Sequence, residues 1–227
     1  MSLTYGVISI TALVLLGACI IVDRKKENWL RLLFVSVFVA NLGYFLLSVS
    51  ETLEFALMSN RIAYAGNVFL PFFMLMIILN LCGVHYPKWL PIVLSVVGFA
   101  VLVLAASPGY LTVYYKAVSF KIVNGTSLLV KEHGPLHILY YMYLFFYFAA
   151  MFAVIVFLVK RRKVSAHIQG IILLSAVFID IIVWLVEQFR SHGFEFLSIA
   201  YILSESLILV LYSISQKYNI KRRVICV

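Results

Sequence analysis

Seven apolar runs follow one another along this chain, separated only by short charged or turn-rich breaks. A helix needs ~20 consecutive apolar residues to cross the hydrocarbon core of a bilayer. Lipid offers backbone groups no hydrogen-bond partners, so such runs fold as helices that satisfy their own N–H and C=O groups. The runs are Leu3 to Val22, Leu30 to Val49, Ile62 to Cys82 (with an earlier start near Glu51 left open), Leu90 to Ala106, Leu136 to Val159, Ile168 to Phe189, and Leu197 to Ile214. The expected fold is an all-α membrane protein, a seven-transmembrane helix bundle forming a single domain over residues 1–227. Composition agrees: 64% of residues are hydrophobic and 12% charged, against roughly a half and a quarter in soluble domains. A disordered chain, a nucleic-acid-binding tail and a disulfide scaffold are excluded, a soluble enzyme is disfavoured, and no nucleic-acid partner is expected.

The basic residues set an orientation. Arg24, Lys25, Lys26, Arg31, Lys88, Lys160, Arg161, Arg162, Lys163, Lys217, Lys221, Arg222 and Arg223 fall on one set of connections, and Arg61, Lys116, Lys121, Lys131 and Arg190 on the other: thirteen against five. Cytoplasmic loops carry the excess of Lys and Arg. The N-terminus is therefore expected outside and the C-terminus in the cytoplasm, with a tail over 215–227. The net charge of +9 is then mostly topology and does not argue for an anionic partner. Trp29 and Trp89 open the second and fourth spans on the inner side, where interfacial aromatics belong. The first run lacks a basic leader and is too long for a signal peptide, so a retained helix is expected. Cys19, Cys82 and Cys226 suggest neither a disulfide nor a CxxC metal site.

The one long outer connection, Ser107 to Pro135, carries Asn124-Gly125 between two β-prone stretches. That is the strongest short hairpin signal, and it predicts an extracellular β-hairpin over about 113–132 between helices four and five. A two-residue turn pairs Val123 with Thr126 and puts Val118, Phe120 and Ile122 on one face with Leu129. That apolar face is expected to lie on the outer mouth of the bundle, either as a lid or as a stiffener of the loop. Asn124-Gly125-Thr126 is also a glycosylation sequon, but the turn accounts for it.

Polar groups inside apolar runs are costly and mark function or a paired contact. In the sixth run Asp180, Trp184 and Glu187 share a helical face; in the seventh, Glu205 has Tyr201 one turn earlier and Ser204 beside it. At ~1.5 Å per residue, Asp180 lies roughly 13 Å from Phe189 and Glu205 roughly 12 Å from Leu197, both mid-membrane. Glu54, Met58 and Arg61 share a face of the third run, with Tyr64 and then Asn67 further on. Asn41 and Tyr44 lie a turn apart in the second, and His137, Tyr140, Tyr141 and Tyr143 open the fifth. An acidic shelf beneath a tyrosine-rich vestibule suits a small-molecule pocket opening outward. The candidate ligand-binding residues are Glu54, Arg61, Tyr64, Asn67, Tyr141, Asp180, Trp184, Glu187, Tyr201 and Glu205. The plainer alternatives stand beside them: Arg61 as an interface anchor or ion-pair partner of Glu54 or Glu187, the aromatics as core, and the mid-membrane acids as interhelical hydrogen-bonding groups. Pro71 is read as the one intramembrane proline and a local kink. No HExxH, GxSxG, Walker or CxxC pattern occurs, so no catalytic residue, metal or cofactor is expected.

Two segments resemble the N-terminal seven-helix sensor region of bacterial histidine kinases. Leu53, Glu54, Ala56, Arg61, Tyr64, Gly66 and Pro71 follow the family's Leu-Glu-x-Ala, then Arg-x-x-Tyr-x-Gly, then Pro. Glu132 to Tyr143 is similar to the family's Tyr-Gly-Pro start of the fifth span with its following tyrosines. Span count, orientation and hairpin position agree. The resemblance implies a sensory module that detects a small ligand or membrane condition and signals through its last span to a cytoplasmic kinase or cyclase, in cis or in trans, with homodimerisation open. It implies an inner (plasma) membrane location and no enzymatic activity of the module itself. The sequence departs from the family at Asp180, where a neutral amide-type residue is usual, and at Glu205, where a small or apolar one is. Those acids point to a cationic or amine-bearing ligand or to a protonation-sensitive mechanism. The alternative is a small proton- or ion-coupled transporter using Asp180 and Glu205; a structural subunit with a satisfied polar core is a third class.

Overall fold

The computed structural model describes residues 1–23, 26–81, 83–161, 164–189 and 195–225, and their side chains except at 158–159, 161–171, 188–189 and 215–225. Among these residues seven helices follow in order: α1 (Ser2–Val22), α2 (Asn28–Ser48), α3 (Leu53–Leu81), α4 (Trp89–Ala105), α5 (His137–Arg161), α6 (Val164–Phe189) and α7 (Leu197–Ile225). Strands β1 (Tyr115–Val123) and β2 (Thr126–His133) form an antiparallel hairpin between α4 and α5. The helices fall on the seven apolar runs. Two differ in extent. α3 takes the earlier start, where Thr52 Oγ1 accepts from Phe55 N (3.3 Å). α7 runs on past Ile214 to Ile225, because no glycine or proline interrupts it and a helix needs no apolar face to continue.

α1, α2, α3, the His137–Phe157 stretch of α5 and the Leu197–Ile214 stretch of α7 are long and apolar enough to cross a membrane. α4 is a shorter apolar helix of 17 residues. Pro71 sits inside α3, but it is not the only proline in an apolar helix: Pro91 lies within the first turn of α4, where a missing N–H removes no helical bond. Arg24, Lys25, Cys82, Arg162, Lys163, Arg190 and Cys226, and the side chains of Arg161, Lys217, Lys221, Arg222 and Arg223, lie outside the described residues. Cys19 is a free thiol buried in the core.

The α2–α3 pair is the most extensive helix contact. Two glycines bring the backbones together. A Cβ on Gly43 would stand 2.6 Å from Ala63 Cα, and one on Gly66 would stand 2.7 Å from Ala40 Cβ. Neither fits without moving a helix. Across the same seam Asn67 Nδ2 donates to Tyr44 Oη (2.7 Å). α1 packs on α2 and α7, α6 on α7, and α5 meets α3, α4 and α6. Val7, Ile10 and Val14 on α1 and Ile92, Val96, Phe99 and Val103 on α4 face outward, as lipid-facing positions do.

The hairpin turns on Asn124 (φ 50°) and Gly125 (φ 73°), the two positive φ angles of a type I′ turn. The register pairs Val123 with Thr126 and Phe120 with Leu129, as the spacing predicts. The seated face is mixed rather than purely apolar. Ser127 on that face is buried and donates to Leu47 O while Ile122 stays 61% exposed, and on the opposite face Thr126 is buried near Ser2. Polar seating at the tip and Val118 nearer the core anchor the hairpin on the ends of α2 and α3.

Gly66→Ala is expected to destabilise the fold by about 1–3 kcal/mol through overpacking. Gly17→Ala, where a Cβ would meet nothing within 4 Å, should be neutral or mildly stabilising. Thermal unfolding of the two variants in the same membrane mimetic checks the contrast.

Candidate functional site

α3, α5, α6 and α7 line a cleft. Asn67 and Pro71 reach it from α3, Asp180 and Trp184 from α6, and Tyr201 from α7. An apolar wall of Leu70, Met74, Leu144, Phe148 and Met151 completes it, with Leu197 at the start of α7. Four of the residues singled out from the sequence thus meet in one place: Asn67, Asp180, Trp184 and Tyr201.

The polar groups here are fixed by neighbours. Ser204 Oγ donates to Asp180 Oδ1 (2.8 Å) and also lies 3.1 Å from Ala176 O, which sets the middle of α6 level with the middle of α7. Asp180 is 3% exposed, and its Oδ2 has no hydrogen-bond partner among the described residues. The same holds for Asn67 Oδ1, since the Asn67 amide nitrogen is engaged by Tyr44. Glu205, next to Ser204, is 1% exposed with neither carboxyl oxygen partnered among the described residues; it does not line the cleft.

The remaining sequence candidates lie around the cleft. Tyr141 packs edge-on against Trp184 (5.6 Å between centroids) and against His137 (4.6 Å). Glu187 Oε1 accepts from Leu197 N (2.6 Å), so it caps the start of α7. Tyr64 hydrogen-bonds Tyr115 at the base of the hairpin and sits edge-on to Tyr114 and Tyr140. Arg61 is an anchor rather than the partner of Glu54 or Glu187: its Nε and Nη2 donate to Ala106 O (3.0 Å) and Pro108 O (2.9 Å), and its guanidinium lies over the Tyr110 ring (4.7 Å). Glu54 is exposed. The carbonyls that engage Arg61 belong to a loop whose path the sequence does not reveal.

The hairpin base adds a polar aromatic cluster. His133 of β2 stacks on His137 of α5 with centroids 3.9 Å apart. Lys131 Nζ stands 5.9 Å from both the Tyr64 and the Tyr115 ring. Burial holds the His133 imidazole below the usual histidine range, and the Lys131 charge adds to it. Burial likewise lowers Lys131 and pushes the Tyr115 phenol up.

A second polar node, missed in the sequence, lies at the opposite end of the bundle. Asp23 ends α1, and its side chain is buried. Its Oδ1 accepts from Tyr212 Oη of α7 (2.9 Å) and from Glu27 N (3.0 Å), and its Oδ2 pairs with Arg31 Nε of α2 (2.8 Å). Glu27 Oε1 accepts from Asn80 Nδ2 of α3 (2.8 Å). One acid therefore ties the ends of α1, α2 and α7 together, and Glu27 extends the tie to α3. An acid beside the basic break after Val22 was the only sequence signal for it.

Comparison with known proteins gives one family. The model of the family described as the N-terminal 7TM region of histidine kinase matches residues 7–219. No curated protein matches the chain. The apolar helices and the family agree on a multi-pass protein of the bacterial inner membrane whose matched region is a sensor and not a catalytic domain. The chain belongs to the N-terminal seven-transmembrane region family of histidine kinases.

Proposed function

We propose that this chain is a sensory receptor module that binds a small extracellular ligand in the cleft between α3, α5, α6 and α7 and passes the signal through α7 to a cytoplasmic kinase output. In this reading residues 1–227 form one domain, all seven helices cross the bilayer, and the hairpin end faces outward. The thirteen-to-five distribution of basic residues supports that orientation. The observation that carries the binding role is the convergence of Asn67, Asp180, Trp184 and Tyr201 on one cleft. Tyr141 and Tyr64 pack above them toward the hairpin, and Glu205 backs Asp180 from the adjoining α7 position. Arg61, Glu187 and Glu54 act as scaffold or surface groups.

A ligand signals only by binding one helix arrangement better than another. α7 is the element placed to report the difference. Its start is capped by Glu187, its middle is bonded to Asp180 through Ser204, and its tail-end half is bonded to Asp23 through Tyr212. A ligand contacting Asp180, Trp184 and Tyr201 pulls on α6 and α7 together, and the Asp23 node resists. The output step is a change in how α7 sits against that node.

A second reading, a small proton- or ion-coupled transporter working through Asp180 and Glu205, draws on one observation: three of their four carboxyl oxygens lack a partner among the described residues. Uptake into proteoliposomes driven by a pH gradient favours it; ligand binding without flux argues against it.

A thermal-shift screen of the full chain in nanodiscs tests the receptor reading. A ligand at ~100 times its Kd stabilises the folded state by about 2.7 kcal/mol. Hits are expected to lose that effect in Leu144→Trp, which fills the cleft, and equal stabilisation of both proteins would show that the cleft is not the site. Tyr212→Phe removes a hydrogen bond to a buried carboxylate and is expected to cost about 1.5–3 kcal/mol; an unchanged unfolding midpoint would mean that Asp23 does not hold α7.

A further inference from the structure

The polar atoms of the cleft are unbalanced. Asn67 spends its amide nitrogen on Tyr44 Oη, and Ser204 spends its hydroxyl hydrogen on Asp180 Oδ1. Two acceptors are left over, Asn67 Oδ1 and Asp180 Oδ2, both on side chains more than nine-tenths buried that line the cleft, and both without a partner among the described residues. A buried acceptor left unsatisfied is costly, and a ligand that supplies donors removes that cost. Trp184 and Tyr201 add aromatic faces with a polar tip, and Leu70, Met74, Leu144, Phe148 and Met151 can contact only apolar surface.

We propose that the cleft takes a small lipophilic primary amine, its apolar body against the α3–α5 wall and its head between Asp180 Oδ2 and Asn67 Oδ1. This rests on the receptor reading and specifies its ligand. An ammonium group has three donors and no acceptor, so it satisfies both oxygens at once. A hydroxyl has one donor and satisfies one. A carboxylate head brings acceptors against acceptors. A quaternary ammonium carries charge without an N–H. Bonds from a charged donor to a carboxylate are about twice as strong as neutral ones, so Asp180 is the discriminating residue and Asn67 the orienting one.

The test measures binding to the full chain in nanodiscs of phenethylamine, phenethyl alcohol and hydrocinnamic acid, which share a phenyl ring on a two-carbon chain and differ in the head. The amine is expected to bind roughly tenfold or more tighter than the alcohol, with the acid weakest. Asp180→Asn, whose amide oxygen can still accept from Ser204, should weaken the amine by roughly tenfold while leaving the alcohol within about twofold. Leu144→Trp should abolish binding of all three. Equal affinity for amine and alcohol, an unchanged amine affinity in Asp180→Asn, or no binding of the amine would overturn the proposal. Should Asp180→Asn fail to fold, the amine-to-alcohol ratio in the wild-type chain decides alone. The receptor reading fails separately, if no compound of any class binds in a manner sensitive to Leu144→Trp.

Discussion

The close approach of α2 and α3 is the contact on which the rest of this bundle depends. Between helices in lipid the hydrophobic effect gives little drive, so small residues that let backbones meet, and hydrogen bonds across the seam, decide the packing. Gly43 against Ala63 and Gly66 against Ala40 provide the first, and Asn67 on Tyr44 provides the second. With that seam closed, the other residues of α3 acquire their places in order. Arg61 takes the carbonyls of the loop after α4, Tyr64 takes the hairpin base, and Asn67 and Pro71 reach the cleft. The motif shared with the sensor family is thus mainly a framework: three of its positions, Arg61, Tyr64 and Gly66, bind the protein to itself.

The polar groups are sorted into three levels, and α7 meets each of them. Near the hairpin end Glu187 caps its first turn. At mid-depth Ser204 joins it to Asp180. At the far end Tyr212 joins it to Asp23, which is held in turn by Arg31 and Glu27. Each tie is a hydrogen bond to a carboxylate side chain, the strongest kind available to neutral donors. In the relay proposed above, a helix tied at three heights by acids moves as a unit, and a change at the middle tie is felt at the far one.

Much of this was legible in the sequence. Length and apolarity mark the helices because a bilayer leaves the backbone no other solution, and Asn124-Gly125 marks the hairpin because both positions demand positive φ. The helical spacing that groups Asp180 with Trp184 also placed both on the cleft. What could not be read has a physical cause in each case. The end of α7 is invisible to a hydropathy argument because helical hydrogen bonds do not depend on side-chain polarity. For Arg61 the sequence leaves a ligand contact, an interface anchor and an ion-pair partner open together, because its acceptors are backbone carbonyls, which any sequence supplies. In the sequence Asp23 is only an acid beside a basic break, since only folding brings Tyr212 and Arg31 to it. Leu144, Phe148 and Met151 carry no signal, because an apolar wall and an apolar lipid face use the same residues.

In the proposed mechanism the cleft and the Asp23 node are two ends of one movable element. The most direct measurement is the distance distribution between spin labels at Lys88 and Ile214, in a full chain whose three cysteines are replaced. Lys88 caps the start of α4 and is exposed; Ile214 is an outward-facing residue of α7, 39% exposed and close after Tyr212. Saturating phenethylamine is expected to shift this distribution, and Tyr212→Phe is expected to shift it without ligand. A distribution that stays the same when the cleft is occupied would contradict it.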